Sequence, residues 1–369
     1  MKIICSRSAL AEGLNIASKA VGSKASMAIL ECCLLTADGA GFRVTANDTE
    51  MAIETKPIEA DILEEGAVAL DSKVFFDIVR RLPGASVEIT VDEKNVTIIS
   101  SDKARFKILG YPAAEFPGLP EVDENAAGYT MPSNEFKNMI RQTIFSVSQD
   151  PSKPVLCGEL LEITGGMARI VSVDGFRISL RKYTIGDGPN MKVVIPGKTL
   201  NEISKILPSD ADAEIRFYTT DRHIVFDMEN ALVVSRLVEG EFINFENMMV
   251  KEGDTTITVG RAKLLDSIER AALISRDAKK SPVKLKIEDG QIFITSNTEM
   301  GTSYEEVTAN QDGANLEIAF NPRYITEILK VLECEFVTMK FNTPLSPCII
   351  RVEGDDSYEY LVLPLRLRN

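Results

Sequence analysis

Three stretches of this chain repeat at a period of domain size. "DSKVFFDIVRRLP" begins at Asp71, "PGKTLNEISKILP" at Pro196 and "NPRYITEILKVLE" at Asn321, so successive starts lie 125 residues apart. A regular period is the sequence signature of a repeat architecture and decides the fold before any local reading. Each stretch has helical spacing of apolar residues: Phe75, Ile78, Val79 and Leu82, then Leu200, Ile203 and Leu207, then Tyr324 or Ile325, Ile328 and Leu332. Ahead of each lies a second amphipathic stretch, "SRSALAEGLNIASKAV", "PSNEFKNMIRQTIFSV" and "GRAKLLDSIERAALIS". Two helices per repeat follow, predicted over residues 6–24, 71–83, 132–149, 196–208, 260–280 and 321–333.

Between the helices the pattern changes to period two. "SVEITVDEKNVTIIS", "AEIRFYTTDRHIVFDM" and "VKLKIEDGQIFITS" alternate around turn residues such as Asp289-Gly290 and predict antiparallel hairpins. "GFRVTANDTEMAIE", "MARIVSVDGFRISL" and "QIFITSNTEMGTSY" are further corresponding hairpins, with Asp48, Asp174 and Asn297 at similar points. The chain therefore reads as α+β, three tandem modules near residues 1–120, 128–250 and 254–369. Pro-rich and acidic linkers, "YPAAEFPGLPEVDENAAG" and "VEGEFINFENMMVKEGD", follow the first two. The apolar ending "YLVLPL" reads as the last strand of the third.

Charge is unevenly distributed. Over its 369 residues the chain has 41 Lys plus Arg against 55 Asp plus Glu, a formal net charge of -14. The six predicted helical spans hold 18 basic and 10 acidic residues, net +8, leaving -22 elsewhere. A net acidic chain argues against indiscriminate adhesion to nucleic acid, but repeated helices presenting cations on one side suit phosphate-backbone contacts without base reading. Aromatic platforms for single strands are not evident.

Catalytic chemistry has little material. His223 is the only histidine, which excludes a two-histidine metal site and leaves a Ser-His-Asp triad without context. "IPGKTL" lacks the first glycine of a phosphate loop, "IGDGPN" lies between strands with Met191 at the third glycine position, and "SDADAE" has Ile215 where a calcium loop turns on glycine. Cys5, Cys32, Cys33, Cys157, Cys334 and Cys348 form no C-x-x-C pair and are expected as reduced core thiols. The start "MKIICSRSALAEG" lacks a secretion-type apolar run, and no window suits a membrane span, so a cytoplasmic location is expected.

Taken together, the three modules, "AEFPGLP" from Ala114, "SVDGFRISL" from Ser172, "FNPRYITEIL" from Phe320 and "YLVLPLRL" from Tyr360 resemble the bacterial sliding clamps, the beta subunits of DNA polymerase III. The resemblance covers essentially the whole chain. It implies a head-to-tail homodimeric ring around duplex DNA, opened by an ATP-driven loader, that tethers the replicative polymerase and receives short peptides from other polymerases and repair proteins. It implies no catalysis, cofactor or metal. The matching DNA-facing positions are Lys24, Lys73, Gln149 and Lys198; the subunit interface matches Phe106 and Ile108 against Leu273 and Ile274 of the partner. The peptide pocket matches Leu156, Val173, Gly175, Phe176, Arg177, Ile178, Asn247, Met248, Val362, Leu363, Pro364, Leu365, Arg366 and Leu367. Val173, Phe176, Ile243, Asn247 and Met248 depart from the family pattern, and Arg368 and Asn369 extend the ending; these bear on peptide preference. From the residues alone, a repeat-built peptide scaffold that never encloses DNA is the alternative.

Overall fold

The computed structural model describes all residues except 23–26, 121, 124, 209, 211, 250–252, 275–281 and 367–369. One order of elements occurs three times. The first copy runs β1 (Lys2–Ser6), α1 (Arg7–Ala17), β2 (Cys32–Asp38), β3 (Gly41–Asn47), β4 (Met51–Thr55), β5 (Ala60–Glu64), β6 (Gly66–Asp71), α2 (Ser72–Arg81), β7 (Ser86–Val91), β8 (Val96–Ser101) and β9 (Ala104–Leu109). The second runs β10 (Gly128–Pro132), α3 (Ser133–Arg141), β11 (Gly158–Thr164), β12 (Met167–Val173), β13 (Arg177–Thr184), β14 (Met191–Pro196), α4 (Gly197–Ile206), β15 (Glu214–Thr219), β16 (His223–Met228) and β17 (Ala231–Arg236). The third runs β18 (Thr255–Gly260), α5 (Arg261–Ala272), β19 (Val283–Glu288), β20 (Gln291–Thr298), β21 (Gly301–Gly313), β22 (Leu316–Phe320), α6 (Pro322–Val331), β23 (Phe336–Phe341), β24 (Cys348–Val352) and β25 (Asp355–Val362). The first copy differs by β5, which pairs with β1.

Local chemistry accounts for the helix ends. Asp71 accepts a hydrogen bond from the Val74 amide at 2.7 Å and Pro83 follows the last turn, so α2 is capped at one end and stopped at the other. Asn321 caps α6, with Pro322 at its first position. Three helices are shorter than their periodicity predicts. The 6–24 span is α-helical only to Ala17, where Ser18 Oγ donates to the Asn15 carbonyl. The 132–149 span ends at Arg141, where Thr143 Oγ1 donates to the Met139 and Ile140 carbonyls and a 3-10 turn, Ile144–Ser146, follows. Side-chain hydroxyls that satisfy the last carbonyls compete with the next helical turn. In the 260–280 span α5 ends at Ala272 and a turn follows at Leu273 and Ile274, while residues 275–280 lie outside the described residues. The final strand likewise stops at Val362, short of "LPL".

Strand pairing crosses the copies. β4 pairs antiparallel with β17, Met51 opposite Ser235, and so joins the first and second copies in an eight-stranded sheet. β13 pairs antiparallel with β25, Arg177 opposite Val362, and joins the second and third in a twelve-stranded sheet. Compact packing follows these ladders: one group comprises Met1–Phe136 with Glu202–Leu237, the other Lys137–Asn201 with Val238–Asn369. In the second group β25 sends Tyr360 and Val362 into a core with Leu264, Ile268, Ile325 and Leu329 of α5 and α6. Leu361, between them, enters a different cluster with Val173, Ile178, Leu180 and Phe245. Strand alternation alone produces this division.

Candidate functional site

The described residues matched to a peptide pocket fall within the second group. The turn between β12 and β13 is built by Asp174, whose Oδ1 accepts from the amides of Phe176 at 2.9 Å and Arg177 at 3.1 Å. Gly175 sits at φ +91, a region that favours glycine. The turn leaves Phe176 more than half exposed, stacked on Tyr324 with ring centroids 6.1 Å apart.

It buries Arg177, which is only 4% exposed. The Arg177 guanidinium donates through Nε to Asp174 Oδ2 at 2.8 Å, through Nη1 to Glu327 Oε2 at 2.5 Å and through Nη2 to the Phe145 carbonyl. It also lies over the Phe145 and Tyr324 rings, 5.2 and 4.6 Å from their centroids. A buried charge is tolerable only when it is paired and hydrogen-bonded, and Arg177 meets both conditions. Burial, and next Asp174, push the Tyr324 hydroxyl above its ordinary value.

Past β25 the backbone remains tied. The Leu363 amide donates to the Phe176 carbonyl and the Leu365 amide to the Ala319 carbonyl, both at 2.8 Å. Leu363 is 37% exposed, Pro364 and Leu365 are half-buried and Arg366 is exposed. Leu156 and Ile243 pack, half-buried, on the cluster containing Val173, Ile178 and Leu361. Asn247 and Met248 are exposed in a 3-10 turn beside buried Phe245. Val173 and Ile178 are floor rather than lining, and Val362 faces the other core. Leu367 lies outside the described residues. A recess of about 490 Å³ adjoins Ile243 and Phe245, with Arg169 bridging Glu162 and Glu246 at its side.

Of the DNA-facing positions, Lys73 is exposed on α2. Gln149 and Lys198 line one recess of about 670 Å³ with Phe145, Cys157 and Asn201. Lys24 lies outside the described residues. Phe106, 40% exposed, and half-buried Ile108 lie on β9, which pairs only with β8 and so is a sheet edge among the described residues. Leu273, 80% exposed, and Ile274 follow α5, where Thr298 Oγ1 donates to the Ile274 carbonyl and Ser303 Oγ to that of Ala271. This places them beside residues 301–308 of β21, which have β20 on one side and no strand on the other among those described.

Sequence reasoning missed Tyr324, Glu327 and Phe145 as partners of Arg177. Their signal was present in part, because Tyr324 and Glu327 both belong to the "FNPRYITEIL" stretch. The expectation of six core thiols needs correction: Cys5, Cys32, Cys33 and Cys348 are buried, whereas Cys157 and Cys334 lie near loops and are half-buried. Burial pushes the Cys33 thiol up to about 12, which disfavours reactive thiolate. No group of three or more His, Cys, Asp or Glu able to hold a metal occurs among the described residues, and no helix there is long and apolar enough to cross a membrane.

The fold and this site define a triplicated α+β protein whose final strand borders a half-apolar groove. Sequence profiles of the N-terminal, central and C-terminal domains of the DNA polymerase III beta subunit match residues 1–120, 130–244 and 247–366, and the chain belongs to that family. It is 33% identical over 378 residues to the beta sliding clamp of Bacillus subtilis strain 168, covering 99% of this chain and all of that one. Among solved structures, a putative DNA polymerase III beta subunit from Eubacterium rectale is 40% identical, with TM-score 0.94 and 99% of each chain covered. The sliding clamp of Bacillus subtilis superimposes with TM-score 0.96 at 32% identity, with both chains fully covered.

Proposed function

We infer that this chain is a non-catalytic DNA sliding clamp: two copies close head to tail around duplex DNA and hold the replicative polymerase on it. The modules act as three domains, 1–120, 128–250 and 254–369, working in the cytoplasm. The observation that carries the assembly is the repeated strand junction. β4 pairs with the last strand of the second copy and β13 with the last strand of the third. The equivalent strand of the third copy, β21, and the last strand of the first, β9, are the pair left over.

A second chain supplies the missing partner in each case. Counting from the hairpin turn before each last strand, Ala104 corresponds to Ala231, so the first junction's register puts Ile108 opposite Gly301 and Phe106 opposite Ser303 of the second chain. Charge agrees, since this register sets Arg105 of β9 opposite Tyr304 and diagonal to Glu306 on the same face. Leu273 and Ile274 beside β21 then cover Phe106 and Ile108.

The groove bounded by Phe176, Leu363, Pro364 and Met248 takes the short peptides through which polymerase, loader and repair proteins attach; an apolar lip with a few oriented polar groups suits that role. Lys73, Gln149 and Lys198, with Lys24, face the DNA. The deciding experiment loads the protein with its cognate ATP-driven loader onto circular and linear duplexes. Retention on circles and rapid loss from linear ends is expected, and equal residence on both would exclude encirclement.

A further inference from the structure

A row of polar side chains crosses the twelve-stranded sheet. Ser172 on β12 stands opposite Ser179 of β13, and Ser179 opposite Tyr360 of β25. Glu159 on β11, one residue beyond the Leu160–Val171 pair, comes level with Ser172 and has Ile195 of β14 on its other side. All four polar residues of the row are fully buried. The turn after α3 is fastened to them: the Ser172 hydroxyl donates to the Thr143 carbonyl at 2.5 Å, and Ser146 Oγ meets Ser179 Oγ at 2.6 Å. Between those two fastenings, Phe145 stacks on Tyr360 with ring centroids 6.2 Å apart and accepts through its carbonyl from the Arg177 guanidinium. The turn that the row holds therefore holds Arg177 of the groove.

Neither carboxyl oxygen of Glu159 has a hydrogen-bond partner among the described residues. The hydroxyls that act on it, Thr143 and Ser172, already donate elsewhere, Thr143 to the Met139 and Ile140 carbonyls at 2.8 and 3.3 Å. What they leave for Glu159 is lone pairs. A neutral carboxyl, with one O–H to donate, suits lone pairs; a carboxylate, which only accepts, does not. Once ionised, Glu159 would have to draw one of those protons to itself, because a buried charge without a partner is not tolerated. That would release either the last carbonyls of α3 or the carbonyl of Thr143.

Resting on the reading of the groove as the peptide site, we propose that Glu159 is a positioning residue for it: the neutral carboxyl keeps the turn Thr143–Ser146 seated, the Phe145 carbonyl keeps Arg177 in place, and ionisation of Glu159 unseats both. Burial pushes the carboxyl up to about 8, so the seat is intact at neutral pH and slackens above it. No charged group faces Glu159 from the elements packed on it, since β12 presents Ser172, β14 Ile195 and the turn after α3 Thr143. Farther across the sheet on β13, Arg177 is engaged by Asp174, Glu327 and the Phe145 carbonyl, and Arg181 by Gln142 and the Lys182 carbonyl. Tyr360, at the end of the row, is pushed well up by burial and stays protonated. From Arg177 the effect passes to Tyr324, whose ring lies 4.6 Å from the guanidinium and stacks on exposed Phe176.

The test follows a rhodamine-labelled peptide copied from the cognate replicative polymerase, with blocked ends and no His or Cys, by anisotropy from about pH 6 to about pH 9. Wild-type affinity should be constant at the acid end and then weaken, by up to ~tenfold per pH unit once the carboxyl ionises, the limit for one linked proton. Glu159→Gln keeps a donor and cannot ionise, so it should hold the wild type's low-pH affinity throughout. Glu159→Met, of like length without a donor, should bind more weakly and equally without pH dependence. Melting curves at each pH keep the comparison to folded protein. A fall in Glu159→Gln parallel to wild type overturns the role of Glu159. So does full affinity in Glu159→Met, or a wild-type affinity that ignores pH while the melting temperature follows it. A chain lacking residues 363–369 that binds the peptide undiminished at the acid end is a separate failure and removes the groove reading itself.

Discussion

The amide of Leu363 donates to the carbonyl of Phe176 at 2.8 Å, one residue past the point where β25 ceases to be a strand. This bond holds the apolar ending of the chain against the turn that buries Arg177. The groove is thus built from two segments nearly two hundred residues apart, and its parts can be removed separately.

Deleting residues 363–369 removes the lip but leaves the β13–β25 ladder, whose last pair is Arg177 with Val362. The truncated protein should keep the wild-type dimer mass and lose affinity for a polymerase-derived peptide, measured by calorimetry. Full affinity in a folded truncation would exclude this groove as the peptide site.

Replacing Arg177 with alanine leaves Asp174 and Glu327 without their shared cation in a partly buried setting. Glu327 keeps Arg323 at 2.7 Å and Asp174 keeps its two backbone amides, so the loss falls at the low end of that for a broken buried pair, ~3 kcal/mol, read as a lower urea midpoint at unchanged slope. Because Tyr324 loses the charge beneath it, peptide affinity should fall as well. A loss below about 1 kcal/mol would mean that the carboxylates find other partners or water.

Glu159 on β11 is fully buried, with both carboxyl oxygens unpartnered among the described residues. Burial pushes its pKa from 4.5 to about 8, opposed by the nearby Thr143 and Ser172 hydroxyls. Between those values the folded chain holds a proton that the unfolded chain has released, so this group's contribution to stability is full below pH 4.5 and falls as pH rises to about 8. Melting temperature should decline across that window in wild type and less steeply in Glu159→Gln. Parallel curves would show that the carboxyl ionises normally.

An acidic substitution at the edge strand tests assembly. Phe106→Asp places a charge where the proposed interface is apolar, and a buried unpaired charge is not tolerated. Light scattering should report half the wild-type mass, with circular dichroism unchanged. A dimer that survives both Phe106→Asp and Leu273→Asp would place the contact elsewhere.

Much of the fold was legible because its helices and hairpins carry their own periodicity. Phe75 and Val79 are fully buried on one face of α2 as their spacing requires. Asp289-Gly290, both at positive φ, form the hairpin turn their identity suggests. Helix ends were less legible, because hydroxyls such as those of Ser18 and Thr143 truncate helices that apolar spacing would extend. The site was legible only in outline. Arg177 could be matched by motif, but its burial depends on Phe145, Tyr324 and Glu327, which come from segments that no periodicity connects.

By itself the sequence determined the repeat, the α+β class, the amphipathic faces and the excess of cations on the helices, since each is a property of short windows. Tertiary structure alone decided that β4 meets β17 and β13 meets β25, and that the Arg177 guanidinium reaches Glu327 and the Phe145 carbonyl. Those outcomes depend on which distant side chains arrive within a few ångströms of one another, and an ion pair or strand register exists only once the chain has brought its two halves together.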